Sequence, residues 1–229
     1  MDINYNFKKR IISGFDTWSD TYSSDVSPKL QRRGYSYEGL AYKILEYINP
    51  EPNSIVAEFG TGTGILGMAI KSIRPDLKII GFDISSKMLR NSQKTSAYEV
   101  LFQCDSEIIP IINNRFQFIY TAFMFHSILN PIKCLAELKR VSIEGSRIAI
   151  VDLFRSRKRI PYLSRIAENI HSYKYEHGAP SRYHSVKELI KLISSSNIML
   201  SSSIRLDKNS KIEEQAAGGM VHHLLGLTV

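Results

Sequence analysis

The chain has little that could staple or anchor it. Only two of its 229 residues are cysteines, Cys104 and Cys134, with no CxxC pair and no Cys/His cluster at metal-ligand spacing. That composition excludes a disulfide scaffold and suggests no metal. No window approaches ~18 consecutive apolar residues, so no membrane-spanning helix is expected. Residues Met1 to Arg10 are polar and lack the apolar run of a secretory leader. The expectation is a soluble cytoplasmic protein in a reducing environment. Internal repeats and low-complexity tracts are absent as well, which excludes solenoid and linker-like architectures.

What is present is ordinary globular composition, 43% hydrophobic and 23% charged. The length suits a single domain that buries roughly 70% of its unfolded surface without help from crosslinks. The net charge of +8 is concentrated: Phe154 to Lys191 holds nine Lys/Arg against three Glu, densest at Arg155, Arg157, Lys158 and Arg159. Such a patch can meet nucleic acid, an acidic membrane or an anionic substrate, or be a solvated surface.

Apolar runs mark the strands. These are Ser54–Phe59, Lys78–Phe82, a weak Leu101–Gln103, Phe116–Thr121 and Arg147–Leu153. Continuous apolar runs suit parallel strands buried on both faces. Helical stretches alternate with them: Ile65–Ile73, Ser85–Ser96 with Ser85 as N-cap, and Pro131–Val141 with proline in its first turn. This order predicts an α/β protein with a doubly wound, Rossmann-like, mostly parallel sheet. Residues 1–50 read as a helical N-terminal cap, clearest at Gly39–Ile48, and 51–153 as the core. Residues 154–196 read as a helical lid with a His/Tyr-rich loop, and Ser194–Ser203 as a turn into a strand. Within 197–229, Ile198–Leu206 and Met220–Val229 read as a closing pair of strands that would put an antiparallel strand at the edge of the sheet.

The strongest motif is Glu58-Phe59-Gly60-Thr61-Gly62-Thr63-Gly64, where an apolar strand turns into a helix. Glycines there allow a tight turn and close approach of a ligand to backbone, and the helix N-terminus offers free N–H groups. Asp83 ends the second strand, 19 residues beyond Gly64, the spacing of a ribose-binding acid. Asp105 follows the third strand, where a carboxylate can accept from an exocyclic adenine amine. A nicotinamide reading competes, because Gly62-Thr-Gly64-Ile-Leu-Gly67 matches GxGxxG and Tyr183 to Lys187 matches YxxxK. It leaves Gly60 unexplained and lacks a TGxxxGxG loop near the N-terminus.

Together, Glu58–Gly64, Gly81-Phe-Asp-Ile-Ser-Ser-Lys-Met-Leu89 and Gln103-Cys-Asp-Ser106 resemble the successive cofactor motifs of class I S-adenosylmethionine (SAM)-dependent methyltransferases. Phe116 to Pro131 resembles that family's fourth strand and following loop. The chain is most similar to the small-molecule branch that includes the ubiquinone/menaquinone methyltransferases, and Gly219–Gly226 resembles that branch's terminal strand. One departure is Gln117, where the family commonly has an acid. The resemblance implies SAM as cofactor. Glu58, Gly60, Gly62 and Gly64, with Thr61, would shape the methionine end of the pocket. Asp83 would bind the ribose, Ile84 and Met88 would pack by the adenine, and Asp105 and Ser106 would hold its edge. Thr121 and Phe123 would line the site near the sulfonium.

Outside the core, Phe15, Trp18 and Tyr22 fall on one helical face, and Tyr22 is expected to close over the cofactor. Candidate bases are His126, just past the fourth strand, and His171, His177 and His184 in the lid, beside Tyr173, Tyr175 and Tyr183. His222 and His223 should point to opposite faces of a strand and read as structural. The expected partner is a small-molecule acceptor, with the basic lid hinting at an acidic one. The stretch Thr121–Met124 lacks the Asn/Asp-Pro-Pro-Tyr/Phe clamp of amino-methylating nucleic-acid enzymes. A SAM-binding protein with a cyclase-like role, or an RNA or protein methyltransferase, is the alternative.

Overall fold

The computed structural model describes residues 3–155, 177–206 and 220–229. Three helices open the chain: α1 (Ile3–Trp18), α2 (Tyr22–Arg32) and α3 (Tyr37–Ile48). Then come β1 (Ile55–Phe59), α4 (Ile65–Ile73), β2 (Lys78–Asp83), α5 (Ser86–Lys94), β3 (Tyr98–Gln103), β4 (Phe116–Ala122), α6 (Pro131–Val141) and β5 (Ser142–Arg155). The described chain closes with α7 (Val186–Ser195), β6 (Met199–Arg205) and β7 (Met220–Thr228). The strands form one seven-stranded sheet in the order β3-β2-β1-β4-β5-β7-β6. Strands β1 to β5 are parallel, and β7 runs antiparallel to both β5 and β6. The doubly wound sheet with one antiparallel strand near the end of the chain is the one expected, but that strand, β7, lies inside the sheet rather than at its edge, which β6 forms.

Alternating residues feed two cores. Ala57, Phe59, Ile119, Ile148 and Ile150 pack with Leu135 and Leu138 of α6 and with Leu189 and Ile193 of α7. Val56, Ile79, Phe118, Ala149 and Val151 face Leu40, Ile44 and Ile48 of α3 and Leu66 and Ile70 of α4. Truncating any of these fully buried leucines to alanine typically costs about 2–5 kcal/mol. His222 and His223 do face opposite ways: His222 meets Tyr35 and Phe123, and His223 meets Phe154.

Local chemistry sets the helix ends. Ser85 caps α5 by accepting from the Met88 N–H at 3.1 Å, as expected. Asn130 caps α6 through the Lys133 N–H, also at 3.1 Å. Ser36 accepts from the Gly39 N–H, so α3 starts two residues before the glycine that sequence suggested. Ser185 and Glu188 form a capping box that starts α7. That helix runs to Ser195, so the serine-rich stretch begins as helix and becomes the turn only afterwards.

One expectation fails. Phe15, Trp18 and Tyr22 do not share a helix face, because α1 ends at Trp18 and α2 begins at Tyr22. Ser19 turns its hydroxyl back to the Asp16 carbonyl, and its own carbonyl accepts from Asn91 Nδ2 at 2.9 Å. These polar competitors end the helix. The rings still meet at the corner, Phe15 on Trp18 at 6.3 Å and Trp18 on Tyr22 at 4.7 Å.

Candidate cofactor and acceptor site

In an open α/β sheet, ligands bind beyond the carboxyl ends of the strands where the strand order reverses. Here that point lies between β1 and β4. Past Phe59 the chain turns at Gly60 (φ +80°), whose N–H donates to the Phe82 carbonyl at 2.7 Å. A Cβ at Gly60 would sit 2.8 Å from the Met124 Cβ. Above Gly62 there is room, Tyr22 being the neighbour at 4.0 Å. Gly64 (φ +82°) starts α4 and lies against α5, with no space for a side chain.

Asp83 is the hub of this turn. Its Oδ2 accepts from the Gly62 N–H and its Oδ1 from the Ser85 N–H, both at 2.8 Å. Two backbone donors fix the carboxylate at the tip of β2 and leave further lone pairs toward the cleft. Burial pushes its carboxyl up to about 6, against the pull of these N–H groups.

The cleft encloses about 770 Å³ of space when its open mouth is included. Of the residues expected to hold cofactor, Tyr22, Gly60, Gly62, Asp83 and Ile84 line it. So do Met88, Asp105, Ser106 and Phe123. Four others stand behind the wall. Thr61 is buried and accepts from the Ser92 hydroxyl at 3.2 Å. Gly64 meets Ser92 and Thr95, and Thr121 is fully buried in β4.

Glu58 is the fourth, and its place differs from the expected one at the methionine end. It is 1% exposed, and its Oε2 accepts from the hydroxyls of Tyr98 and Tyr120, each at 2.8 Å. Burial pushes its carboxyl up to about 8. A folded pKa above the unfolded one means the native state holds the proton more tightly. The associated stability is complete below the unfolded value and is lost as pH rises through about 8. Asp83 acts in the same direction at lower pH, up to about 6. The ligand-free protein should therefore lose several degrees of melting temperature between pH 6.5 and 9. Glu58→Gln should flatten that slope in scanning calorimetry, and an unchanged slope would refute this role for Glu58.

The roof is α1, which contributes Phe7, Lys8, Ile11 and Phe15. Sequence reasoning missed Phe7, Lys8 and Ile11, because nothing local marks a helix as the roof of a site. The Lys8 ammonium pairs with Asp105 and, at 2.9 Å, with Glu107. The other Asp105 oxygen accepts from the Glu107 N–H at 2.9 Å. Both oxygens of the expected adenine-binding acid thus already have partners in the chain. Asp16 of α1 also accepts from the Ser85 hydroxyl, tying the roof to α5. Cys104 lines the cleft too, but burial pushes its thiol up to about 12, which disarms it as a nucleophile.

Tyr22 presents its ring to the cleft while its hydroxyl bonds the buried Tyr37. Tyr22→Phe should weaken SAM binding about fivefold, the worth of one hydrogen bond that orients the ring. Calorimetric titration giving equal affinities would remove the hydroxyl from consideration.

No described histidine lines the cleft. His126 is buried behind it: its Nδ1 bonds Asp152 Oδ1 at 2.6 Å, its backbone N–H donates to Asp152 Oδ2 at 3.0 Å, and its ring stacks on Tyr183 at 5.2 Å. His177 is exposed against Trp18, and His184 is half-buried. His171 lies outside the described residues, as do Tyr173, Tyr175, Gly219 and most of the basic run.

The glycine turn leaves open space above Gly62, an acid stands where ribose hydroxyls would reach it, and apolar rings enclose the rest. Among the described residues this donor set suits an adenosyl sulfonium and offers no phosphate clamp. Fold and cleft resemble those of class I SAM-dependent methyltransferases. Residues 57–150 match the family described as methyltransferase domain. A demethylmenaquinone methyltransferase of Thermotoga maritima is 29% identical over 164 residues, covering 72% of this chain and 65% of that protein. A ubiquinone/menaquinone biosynthesis C-methyltransferase of Desulfotalea psychrophila is 25% identical over 194 residues, 78% of each chain. The structure of geranyl diphosphate C-methyltransferase from Streptomyces coelicolor A3(2), in complex with Mg2+, geranyl diphosphate and S-adenosyl-L-homocysteine, shares the fold. It has a TM-score of 0.67 at 12% identity, over 82% of this chain and 76% of that one.

Proposed function

We propose that the protein transfers the methyl group of SAM to a small, uncharged and largely apolar acceptor. The observation that carries this is the character of the cleft wall. Among the described residues it holds the carboxylates Asp83, Asp105 and Glu107 against the single ammonium of Lys8. The remainder is mostly aromatic and aliphatic, including Phe7, Ile11, Phe15, Met124, Ile128 and Leu129. An acidic wall complements the net positive charge of SAM and repels an anionic acceptor. The acidic acceptor suggested by the basic stretch is thus disfavoured by the described wall. The quinones in the names of the sequence relatives are apolar and support the same reading, whereas the geranyl diphosphate of the structural neighbour has an apolar tail and an anionic head.

SAM supplies a methyl group already activated on a sulfonium, and its displacement in line disperses charge rather than creating it. The chain's own task is alignment and exclusion of water, and positioning of this kind can contribute ~7–11 kcal/mol. Asp83 would hold the ribose, Ile84 and Met88 the adenine, and Ser106 its edge. Phe123 and Tyr22 would wall the sulfonium end. Asp105 would reach the adenine amine with lone pairs that Lys8 and Glu107 leave over. His126, clamped by Asp152, would hold the loop carrying Met124 to Leu129 rather than take a proton.

The test is incubation with methyl-labelled SAM and chemically reduced demethylmenaquinone, in parallel with a cell extract. Label appearing in the organic-solvent phase supports the acceptor class. Label confined to water-soluble acids or to macromolecules would refute it. SAM binding without any labelled product would refute methyl transfer itself.

A further inference from the structure

We propose that His222 and Tyr35, both outside the cleft, are positioning residues that hold the Phe123 ring against the sulfonium and so set the preference for SAM over its demethylated product. This rests on the reading of the cleft as a SAM site.

The sheet orders the ligand. Asp83 at the tip of β2 and Asp105 after β3 claim the adenosine end. The sulfonium then falls toward the tips of β1 and β4, where Phe123 follows β4 and lines the cleft. Phe123 is held at φ +56°. A bulky aromatic in that region costs roughly 1–2 kcal/mol and persists only where its surroundings enforce it, most often at functional sites.

Three contacts do the enforcing. The Phe123 N–H donates to the Val151 carbonyl at 2.9 Å, which fixes the backbone where β4 ends. The Phe123 ring meets the His222 ring edge-on, with centroids 5.5 Å apart and planes at 61°. His222, 2% exposed in β7, is held in turn by a hydrogen bond between its Nδ1 and the Tyr35 hydroxyl, and the two rings lie 5.3 Å apart at 82°. Tyr35 comes from the turn between α2 and α3, a third independent part of the fold. Such a chain of rings fixes one orientation of Phe123. An aromatic face so fixed attracts a cation but gains nothing from a neutral thioether.

SAM carries the sulfonium and S-adenosylhomocysteine does not, so the ratio of their affinities isolates this contact without any acceptor. Dissociation constants for both are measured by calorimetry on the full chain. Phe123→Leu, His222→Leu and Tyr35→Phe are each expected to reduce the SAM-to-S-adenosylhomocysteine affinity ratio about three- to fivefold relative to wild type. The S-adenosylhomocysteine affinity itself should stay within twofold. Tyr35→Phe removes one oxygen atom and keeps the ring, so it remains informative should His222→Leu fail to fold. A ratio unchanged in Phe123→Leu would overturn the ring's role. A ratio lowered in Phe123→Leu but intact in Tyr35→Phe and His222→Leu would overturn the relay. Wild type that binds neither compound would instead defeat the cofactor assignment.

Discussion

Asp83→Asn should weaken SAM binding about 100-fold or more, the largest effect of any conservative change in the cleft wall. Both carboxylate oxygens are committed to backbone donors, Gly62 N–H and Ser85 N–H, each at 2.8 Å. An asparagine would turn an NH2 toward one of them, donor against donor, and loosen the glycine turn. It would also lose a charge-assisted acceptor for the ribose hydroxyls, and bonds of that kind contribute about 1.5–3 kcal/mol each. The same carboxyl titrates near 6 in the folded protein. Wild-type affinity should therefore fall as pH drops below about 6, where the proton blocks acceptance, and Asp83→Asn should show no such dependence. Titration calorimetry at pH 5 and 7.5 measures both effects. An affinity within threefold of wild type at pH 7.5 would remove Asp83 from the ribose.

Gly64→Ala should lower the melting temperature by about 6–12 °C. The φ of +82° disfavours any side chain, and the added Cβ would lie 2.9 Å from the Ser92 Cα, a backbone atom that cannot rotate away. Strain of about 1–2 kcal/mol and overpacking of about 1–3 kcal/mol add to roughly 3 kcal/mol. In a domain of this size each kcal/mol shifts the midpoint by about 2–4 °C. Gly62→Ala is the informative contrast. Its φ is also positive, +53°, but its Cβ would enter open cleft. It should cost less stability than Gly64→Ala and more SAM affinity per degree lost. Equal melting temperatures for wild type and Gly64→Ala would show that α4 and α5 can separate without cost.

The parallel core was legible because its signals are local. Ser54 to Phe59 is a largely apolar run, glycines follow at once, and Asp83 ends the next strand. Start signals such as the Ser85 cap and Pro131 in a first turn sit at the helices they begin. What stayed hidden depends on contacts between distant parts of the chain. Lys8 meets Asp105 across 97 positions and Tyr35 meets His222 across 187, and no spacing rule reaches that far. Glu58 looked like a pocket residue because it stands beside the glycines. Strand alternation turns it instead into the core, where Tyr98 and Tyr120 wait for it. The break between α1 and α2 was missed because periodicity in Phe15, Trp18 and Tyr22 outweighed the polar Ser19 and Asp20. His126 was noticed, but its partner Asp152 lies 26 residues on, within an otherwise apolar strand.

The place of β7 has a bearing on how the protein is made. It lies between β5 and β6, pairing Thr228 with Arg147 on one side and with Met199 on the other. During synthesis β5 is therefore complete, and β6 too, before the segment that joins them has emerged. Until then the long flank of β5 is an open template for the same strand of a neighbouring nascent chain. Chaperone dependence, and inclusion-body formation by chains shortened at their far end, would follow from that delay rather than from any weakness in the finished fold.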